Sequence, residues 1–153
     1  IITASAVKLN VPVDAEAALA IARRARGTPR IANRLLRRVR DFVQVKTSLK
    51  TVEVPVVKEA MKTLGIDDVG LDELDRRLLK VIDDHYQGGP VGIETLAATL
   101  NEEIDTLVDV IEPYLLKTGF LKRTSRGREL TEQGARHING SSRPAKKPQG
   151  ELF

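Results

Sequence analysis

The chain has 153 residues, of which 41% are hydrophobic, 30% charged and only 3% aromatic, and it contains no cysteine and no tryptophan. This composition is typical of one soluble globular domain or two small ones, and it excludes disulfides, cysteine nucleophiles and Cys-ligated zinc. Because no apolar run reaches about 18 residues and no charged-then-apolar leader opens the chain, we expect no membrane contact and a cytoplasmic setting.

Charge is divided into three blocks along the chain. The net charge of +4 combines +8 in residues 1–64, −9 in residues 65–120 and +5 in residues 121–153. Blocks of one sign favour anionic partners for the two ends and not for the middle. The alternative is three solvated faces that attract one another.

The first block predicts four helices in chain order. Residues 1–9 have amphipathic helical spacing with neither an initiating Met nor a cap, so we expect the beginning of this helix to be missing. Asp14 is expected to cap a second helix that ends at Gly27, where glycine can adopt a left-handed conformation. Pro29 and Pro55 fit the first turns of a third and a fourth helix, where the missing N–H costs nothing.

An unexpected cation lies at the start of the third predicted helix. Thr28 can cap this helix, and Arg30 falls in its first turn, where the helix dipole and the free N–H groups favour an anion. Arg30 is therefore either a solvated surface arginine or a ligand of a bound phosphate, which would reverse the unfavourable sign. Four further arginines fall largely off the apolar stripe of this helix, namely Arg34, Arg37, Arg38 and Arg40.

Residues from about 70 onward have the order of a winged helix-turn-helix domain. The predicted elements are a helix over Leu71–Tyr86, a turn and a very short strand over residues 87–93, a helix over residues 94–100, a third helix capped by Asn101, a β-hairpin that turns at residues 125–127 and a last helix over Thr131–Asn139. This order alone favours DNA binding only weakly, because many winged helices bind proteins.

The charges of this second domain favour the hairpin over the third helix as a surface for DNA. A helix that reads the major groove needs hydrogen-bond donors on its outer face. The third helix, with Ile104 among its inward residues, is instead expected to present carboxylates there, from Glu102, Glu103, Asp105, Asp109 and Glu112. The hairpin gathers Lys122, Arg123, Arg126 and Arg128 around a turn slim enough to enter a groove. If this domain binds DNA, the wing makes the contact.

No catalytic or metal-binding constellation is predicted. His85 and His137 lie on separate helices with no second ligand at i+4. The acidic pairs Asp67–Asp68 and Asp83–Asp84 are interpreted as solvated helix ends, because adjacent helical side chains point apart. The sequence has no phosphate-cradling glycine-lysine loop, no acidic strand for magnesium and no arginine finger.

Four stretches together resemble the RuvB family of bacterial ATP-driven motors, which branch-migrate Holliday junctions. They are Gly27–Phe42 with its Gly-Thr-Pro-Arg start, Gly88–Gly92, Glu112–Leu115 and Gly119–Arg128. The resemblance implies a mainly α fold, in which a small AAA+ helical lid bundle is followed by a winged helix-turn-helix domain with a short β-hairpin wing. The lid would occupy residues 1–68 and the winged helix residues 69–139, and composition makes residues 140–153 a disordered basic tail.

For the lid, the resemblance implies a nucleotide site. Arg30 matches the family's sensor 2 arginine, which reaches the nucleotide phosphates, and Thr28 and Pro29 belong to the same site. ATP or ADP would be shared with a large nucleotide-binding domain that precedes the lid in the family, and Mg²⁺ would bind only through that domain. We therefore expect a carboxy-terminal fragment that is inactive alone, whereas the full-length protein is an ATP-dependent DNA helicase.

For the wing, the resemblance implies contacts with DNA. The implied residues are Arg123 and Arg128 first, then Arg126, with Lys122 beside them. The sequence departs from the family at Ser125, where the wing carries proline, and at Ile104, where the family commonly carries a DNA-contacting arginine.

The resemblance also implies partners, while other interpretations stay open. The whole protein would bind double-stranded DNA and the Holliday junction as a homohexamer, and it would bind RuvA through the missing domain. The segment Gln149–Phe153 resembles a peptide that docks into sliding clamps. The alternatives are a winged-helix transcription regulator with a helical dimerisation domain, and an interaction module that binds a protein through the acidic third helix.

Overall fold

The four helices predicted for the first part of the chain all form. In the computed structural model, which describes residues 2–8, 10–46 and 51–140, they are α1 (Ile2–Lys8), α2 (Ala15–Arg24), α3 (Pro29–Lys46) and α4 (Val54–Thr63). The chain divides into two units, residues 1–73 and residues 74–153, and these four helices build the first.

Local signals fix three of these helix ends as predicted, whereas α2 ends at Arg24, with Ala25 as its C-cap, before the predicted Gly27. The Asp14 carboxylate accepts the backbone N–H of Ala17 at 2.6 Å, so Asp14 is the N-cap of α2. Pro55 lies in the first turn of α4, and Gly65 follows that helix with a left-handed φ of 72°. Each signal satisfies or removes a backbone group that the helix end would leave unpaired.

The core of the first unit is aliphatic, as the low aromatic content requires. Leu36 and Val39 of the α3 stripe are fully enclosed, and burial of one such side chain contributes about 1.5–3 kcal/mol. A parallel bridge joins Val13 to Val52 across the bundle. The arginines off the stripe are exposed or partly exposed, namely Arg34, Arg37, Arg38 and Arg40.

The second unit has the element order of a winged helix. Its elements are α5 (Glu73–Tyr86), α6 (Ile93–Leu100), α7 (Ile104–Thr106), a π-helical segment (Leu107–Ile111), α8 (Glu112–Lys117), β1 (Leu121–Thr124), β2 (Gly127–Leu130) and α9 (Glu132–Asn139). The predicted mainly α fold with a two-stranded hairpin is confirmed.

A third segment extends the hairpin. β1 and β2 are antiparallel, with Arg123 opposite Arg128 and Lys122 opposite Glu129. Val91 bridges to Arg128, since the Val91 N–H donates to the Arg128 carbonyl at 3.0 Å and the Arg128 N–H donates to the Val91 carbonyl at 2.8 Å. The predicted very short strand is therefore present as this bridge.

The start of the third helix differs from the prediction. Asn101 does not cap it but ends α6, in a left-handed conformation (φ 55°, ψ 48°) that asparagine tolerates. Glu103 takes the N-cap position of α7 without a side-chain hydrogen bond. Ile104, predicted to face inward, is 40% exposed, because it opens the helix ahead of the turns that pack on the core.

The prediction that Glu112 lies on the outer face of the third helix is wrong. Its side chain is only 2% exposed, and its backbone N–H donates to the Leu107 carbonyl, five residues back. A helix widened in this way rotates less per residue than a 3.6-residue helix, so the residues after it turn back toward the core. Glu112 is thereby buried with Ile111 and Leu115.

Of the acidic pairs interpreted as solvated helix ends, Asp84 is exposed as predicted, whereas the other three carboxylates have protein partners. Asp83 is buried and accepts a hydrogen bond from Nδ2 of Asn139 at 2.7 Å. Asp67 and Asp68 lie in the loop after α4, where Oδ1 of Asp67 accepts the backbone N–H of Leu71 at 2.9 Å. Helical spacing could not indicate these partners, because they are backbone groups or lie far along the chain.

Two predictions concern residues outside the described ranges. Residues 141–153, which hold most of the predicted basic tail and all of the Gln149–Phe153 motif, are not among the described residues.

Of the helices in the described ranges, none is both long enough and apolar enough to cross a membrane.

Candidate nucleotide and nucleic-acid interfaces

The first candidate site is the tight corner between α2 and α3. Arg26 and Gly27 both adopt left-handed conformations, with φ of 55° and 68°, which turn the chain back on itself. The Thr28 carbonyl then accepts the Ala32 N–H at 3.0 Å, which places Thr28 at the N-cap position, while its hydroxyl donates to the Arg26 carbonyl at 3.5 Å. The corner predicted from Gly27 to Pro29 is confirmed.

Arg30 leaves this corner on the exposed side of α3. It lines a surface pocket of about 390 Å³ together with Ile31, Asn33, Arg34 and Arg37. Within the described part of the chain, no carboxylate pairs with the Arg30 guanidinium. Its charge is therefore available to an anion, and the neighbouring arginines at helical spacing strengthen the positive potential there.

Two arginines that sequence reasoning counted only as charge fix the corner to the loop after α4. Arg24 is 5% exposed, and its Nη2 donates to Oδ1 of Asp68 at 2.6 Å. Arg26 donates through Nε and Nη2 to the Gly70 carbonyl at 3.1 and 2.9 Å. Because these contacts span more than forty residues of sequence, no local pattern could have indicated them.

The second candidate site is the wing formed by β1, β2 and their turn. Arg126 lies at the exposed turn, and none of the ion pairs in the described ranges engages it. Lys122 is 58% exposed and pairs with Glu129 at 2.9 Å. The structure thus brings the four predicted cations onto one hairpin, in different environments.

Glu112 joins the two remaining wing cations at the base of the hairpin. Its Oε1 accepts from Arg123 Nε at 2.9 Å and lies 2.7 Å from Arg123 Nη2. The same carboxylate accepts from Arg128 Nε at 3.1 Å and from Arg128 Nη2 at 3.2 Å. Arg123 remains 52% exposed, whereas Arg128 is only 15% exposed. Sequence reasoning missed Glu112, because it expected this carboxylate in solvent.

The outer face of the third helix remains acidic. Glu103, Asp105 and Asp109 are exposed, as predicted, and Val110 is 64% exposed among them. Such a face repels a phosphate backbone. The carboxylates of the helix can accept hydrogen bonds from base edges but cannot donate them. Among the described residues of the hairpin and the third helix, the wing carries a set of cations and the outer helix face does not.

The two histidines lie in different surroundings. His137 stacks on Phe120 with ring centroids 4.8 Å apart, and His85 lies at an exposed helix end. No group of three or more acidic or histidine side chains suited to a metal ion occurs among the described residues.

These features define a class of protein, in which a small helical lid with an exposed arginine at its corner accompanies a winged helix with a basic wing. The RuvB AAA lid domain family matches residues 1–67, and the RuvB C-terminal winged helix domain family matches residues 68–139. The chain belongs to the RuvB family.

Individual relatives agree with this assignment. The chain is 54% identical over 134 residues to the Holliday junction branch migration complex subunit RuvB of Protochlamydia amoebophila (strain UWE25), an alignment that covers 88% of this chain and 40% of the relative. The Thermotoga maritima RuvB Holliday junction branch migration motor is similar in structure, with a TM-score of 0.84 and 50% identity over 90% of this chain and 46% of that one. A mutant of the same protein gives a TM-score of 0.85 at 50% identity, over 90% and 45% of the two chains. The chain thus spans less than half the length of these relatives.

Proposed function

We propose that this chain is the lid and winged-helix part of an ATP-dependent DNA helicase that branch-migrates Holliday junctions in recombination and repair. Residues 1–68 act as the lid and residues 69–139 as the DNA-binding domain. The observation that carries the proposal is the placement of charge in the winged helix, where cations lie on the hairpin and carboxylates on the third helix.

The wing binds the phosphate backbone of duplex DNA in this proposal. Arg126 at the turn and Arg123 have exposed guanidinium groups, Lys122 adds an exposed ammonium, and Arg128 adds a partly exposed guanidinium. Phosphate contacts suit a motor that moves along DNA, because they carry no sequence information and therefore do not hold it at one site.

The lid contributes to a nucleotide site. Arg30 acts as the sensor 2 residue and contacts ATP or ADP phosphates, with Thr28 and Pro29 shaping the corner that presents it. Its exposure without a carboxylate partner in the described ranges supports this role. The phosphate-cradling loop and the Mg²⁺ ligands belong to a separate nucleotide-binding domain, so the chain by itself hydrolyses no ATP.

The assembly follows from the same proposal. The full-length protein forms a homohexamer around duplex DNA in the cytoplasm and meets RuvA through the nucleotide-binding domain. A change of phosphate state at Arg30 moves the lid, and the Arg24 and Arg26 contacts pass that movement to the loop at residues 67–71.

Binding of duplex DNA over a salt series tests the proposal. The chain is titrated with labelled duplexes of two unrelated sequences, as wild type, as Arg126→Ala and as Arg136→Ala. Arg136 is 60% exposed on α9 and pairs with Glu132, so its variant removes the same charge away from the wing. We expect equal affinity for both sequences and a salt slope that Arg126→Ala alone reduces, by about 0.9. A sequence-specific footprint, or no binding at low salt, would contradict the proposal.

A further inference from the structure

We propose that Glu112 is a positioning residue for DNA binding, which holds Arg123 and Arg128 so that both present their free N–H groups to a phosphate. This inference rests on the proposed function of the wing and assigns a role to a buried carboxylate that never touches DNA. The buried Glu112 carboxylate contacts Arg123 and Arg128, which lie on adjacent strands.

Without a counter-charge, the wing would carry an unfavourable pair. Arg123 and Arg128 are directly opposite each other in the β1–β2 register, and like charges in that position destabilise a sheet. Glu112 lies within 3.2 Å of nitrogens from both guanidinium groups. It therefore offsets the repulsion and lets the hairpin close with two arginines side by side.

The geometry of the contacts leaves donors free. Both arginines reach Glu112 through the edge that carries Nε and Nη2. A guanidinium has five N–H donors in a planar fork. The Nη1 end of each arginine is not part of these contacts, and it is the end that can donate to a phosphate oxygen.

Burial makes this arrangement rigid. Glu112 is 2% exposed and its backbone lies at the junction of the π-helical segment and α8, so the carboxylate cannot follow the arginines into solvent. The Arg128 backbone is fixed in turn by its two hydrogen bonds with Val91. Arginines that are held before binding lose less side-chain entropy when they meet a phosphate, which strengthens binding.

The two possible roles of Glu112, as a nearby anion or as a positioning residue, predict opposite effects of its substitution on DNA affinity. Glu112→Gln adds one positive charge to the wing, so if Glu112 is only a nearby anion the variant binds DNA more tightly. If Glu112 positions the arginines, the variant binds DNA more weakly in spite of the added charge. Glu129→Gln is the matched control, because it also removes an anion from the wing but contacts the exposed Lys122.

The experiment measures the affinity of the chain for a labelled duplex of random sequence over a salt series, with folding of each variant checked by circular dichroism. We expect Glu112→Gln to weaken binding roughly three- to tenfold and to lower the salt slope by about one, while Glu129→Gln binds as tightly as wild type or more so. The loss should shrink when Arg123 is already Ala, since the two residues then no longer act together.

A second variant keeps the charge constant. Glu112→Asp retains the anion but withdraws the carboxylate by one methylene, so it cannot keep both arginines in place, and we expect weaker binding at unchanged net charge. If Glu112→Gln and Glu112→Asp both fold and bind DNA as tightly as wild type, the inference is overturned and the proposed function stays intact. A wild-type chain that binds no duplex at low salt would overturn both.

Discussion

Arg126 and Arg128 are two residues apart on the wing, yet their side chains have different partners. Arg128 is 15% exposed and gives two donors to the buried Glu112 carboxylate, whereas Arg126 is exposed at the turn. We expect Arg128→Ala to lower the free energy of unfolding of the second unit by about 1–3 kcal/mol, because a buried carboxylate loses one of its partners. Arg126→Ala should change it by less than about 0.5 kcal/mol.

Hydrogen exchange of backbone amides in α8 measures this difference within the second unit, and the two variants have the same net charge. Equal protection in both variants would mean that the contacts of Arg128 with Glu112 contribute nothing to stability. Reduced protection in Arg126→Ala alone would reverse the assignment of the two side chains.

The sequence indicated the cations of the wing but not their environments. The four wing cations could be identified because a hairpin turn with flanking basic residues is a local pattern. They are Lys122, Arg123, Arg126 and Arg128. The burial of Glu112 could not be identified from the sequence. It depends on the π-helical segment Leu107–Ile111, which slightly changes the direction in which the following side chains point. The roles of Arg24 and Arg26 were equally hidden, because their partners Asp68 and Gly70 lie 44 residues away in each case.

At the scale of elements, the loop after α4 meets the end of α2 through a glycine. Gly70 has a φ of 86°, and a Cβ added there would lie 2.6 Å from the Arg24 carbonyl oxygen. Gly65 is also left-handed, with a φ of 72°, but a Cβ there would meet nothing within 4 Å. Substitution of the two glycines by alanine therefore separates two costs in folding free energy, that of the left-handed backbone conformation and that of the close approach to α2.

We expect Gly65→Ala to destabilise the first unit by about 1 kcal/mol, the cost of a left-handed alanine. Gly70→Ala adds a steric clash and should cost about 2–4 kcal/mol. Hydrogen exchange of amides in α2 and α4 gives both values in the unit concerned. If the two variants were equally stable, the loop at residues 67–71 would not be held against α2 as described.

Element order was the most predictable level of this fold. Asp14, Pro55 and Gly65 act through neighbouring backbone groups, so they fix helix ends wherever the helices pack. Asn101 misled the prediction because asparagine suits both an N-cap and a left-handed C-cap, and the choice between them depends on where the adjacent helix meets the core.

At the scale of the whole molecule, Arg30 and the wing have separate roles in the proposed motor. In a full-length RuvB protein with this chain as its carboxy-terminal part, Arg30→Ala should lower the rate of ATP hydrolysis by an order of magnitude or more, because a cation that faces the phosphates is lost. Arg37→Ala on the same exposed pocket is the control and should leave the rate near that of wild type. Equal losses would indicate a general effect of positive charge on α3.

The same pair of variants separates the two interfaces. In the chain alone, Arg30→Ala should leave duplex affinity unchanged within about twofold, since phosphate contacts contribute only where they form. The measurement is the titration with labelled duplex described for the wing. A large loss of duplex affinity would place Arg30 in the DNA interface and not in the nucleotide site.

In the proposed function the wing, and not the third helix, contacts duplex DNA. Backbone amide shifts recorded by NMR during titration of the chain with a random-sequence duplex distinguish these two surfaces. If the wing makes the contact, the changes concentrate in residues 121–130, with little change in Glu103, Asp105 and Asp109. Changes concentrated along residues 103–110 would instead show a helix reading the groove, and the proposed role of the wing would be wrong.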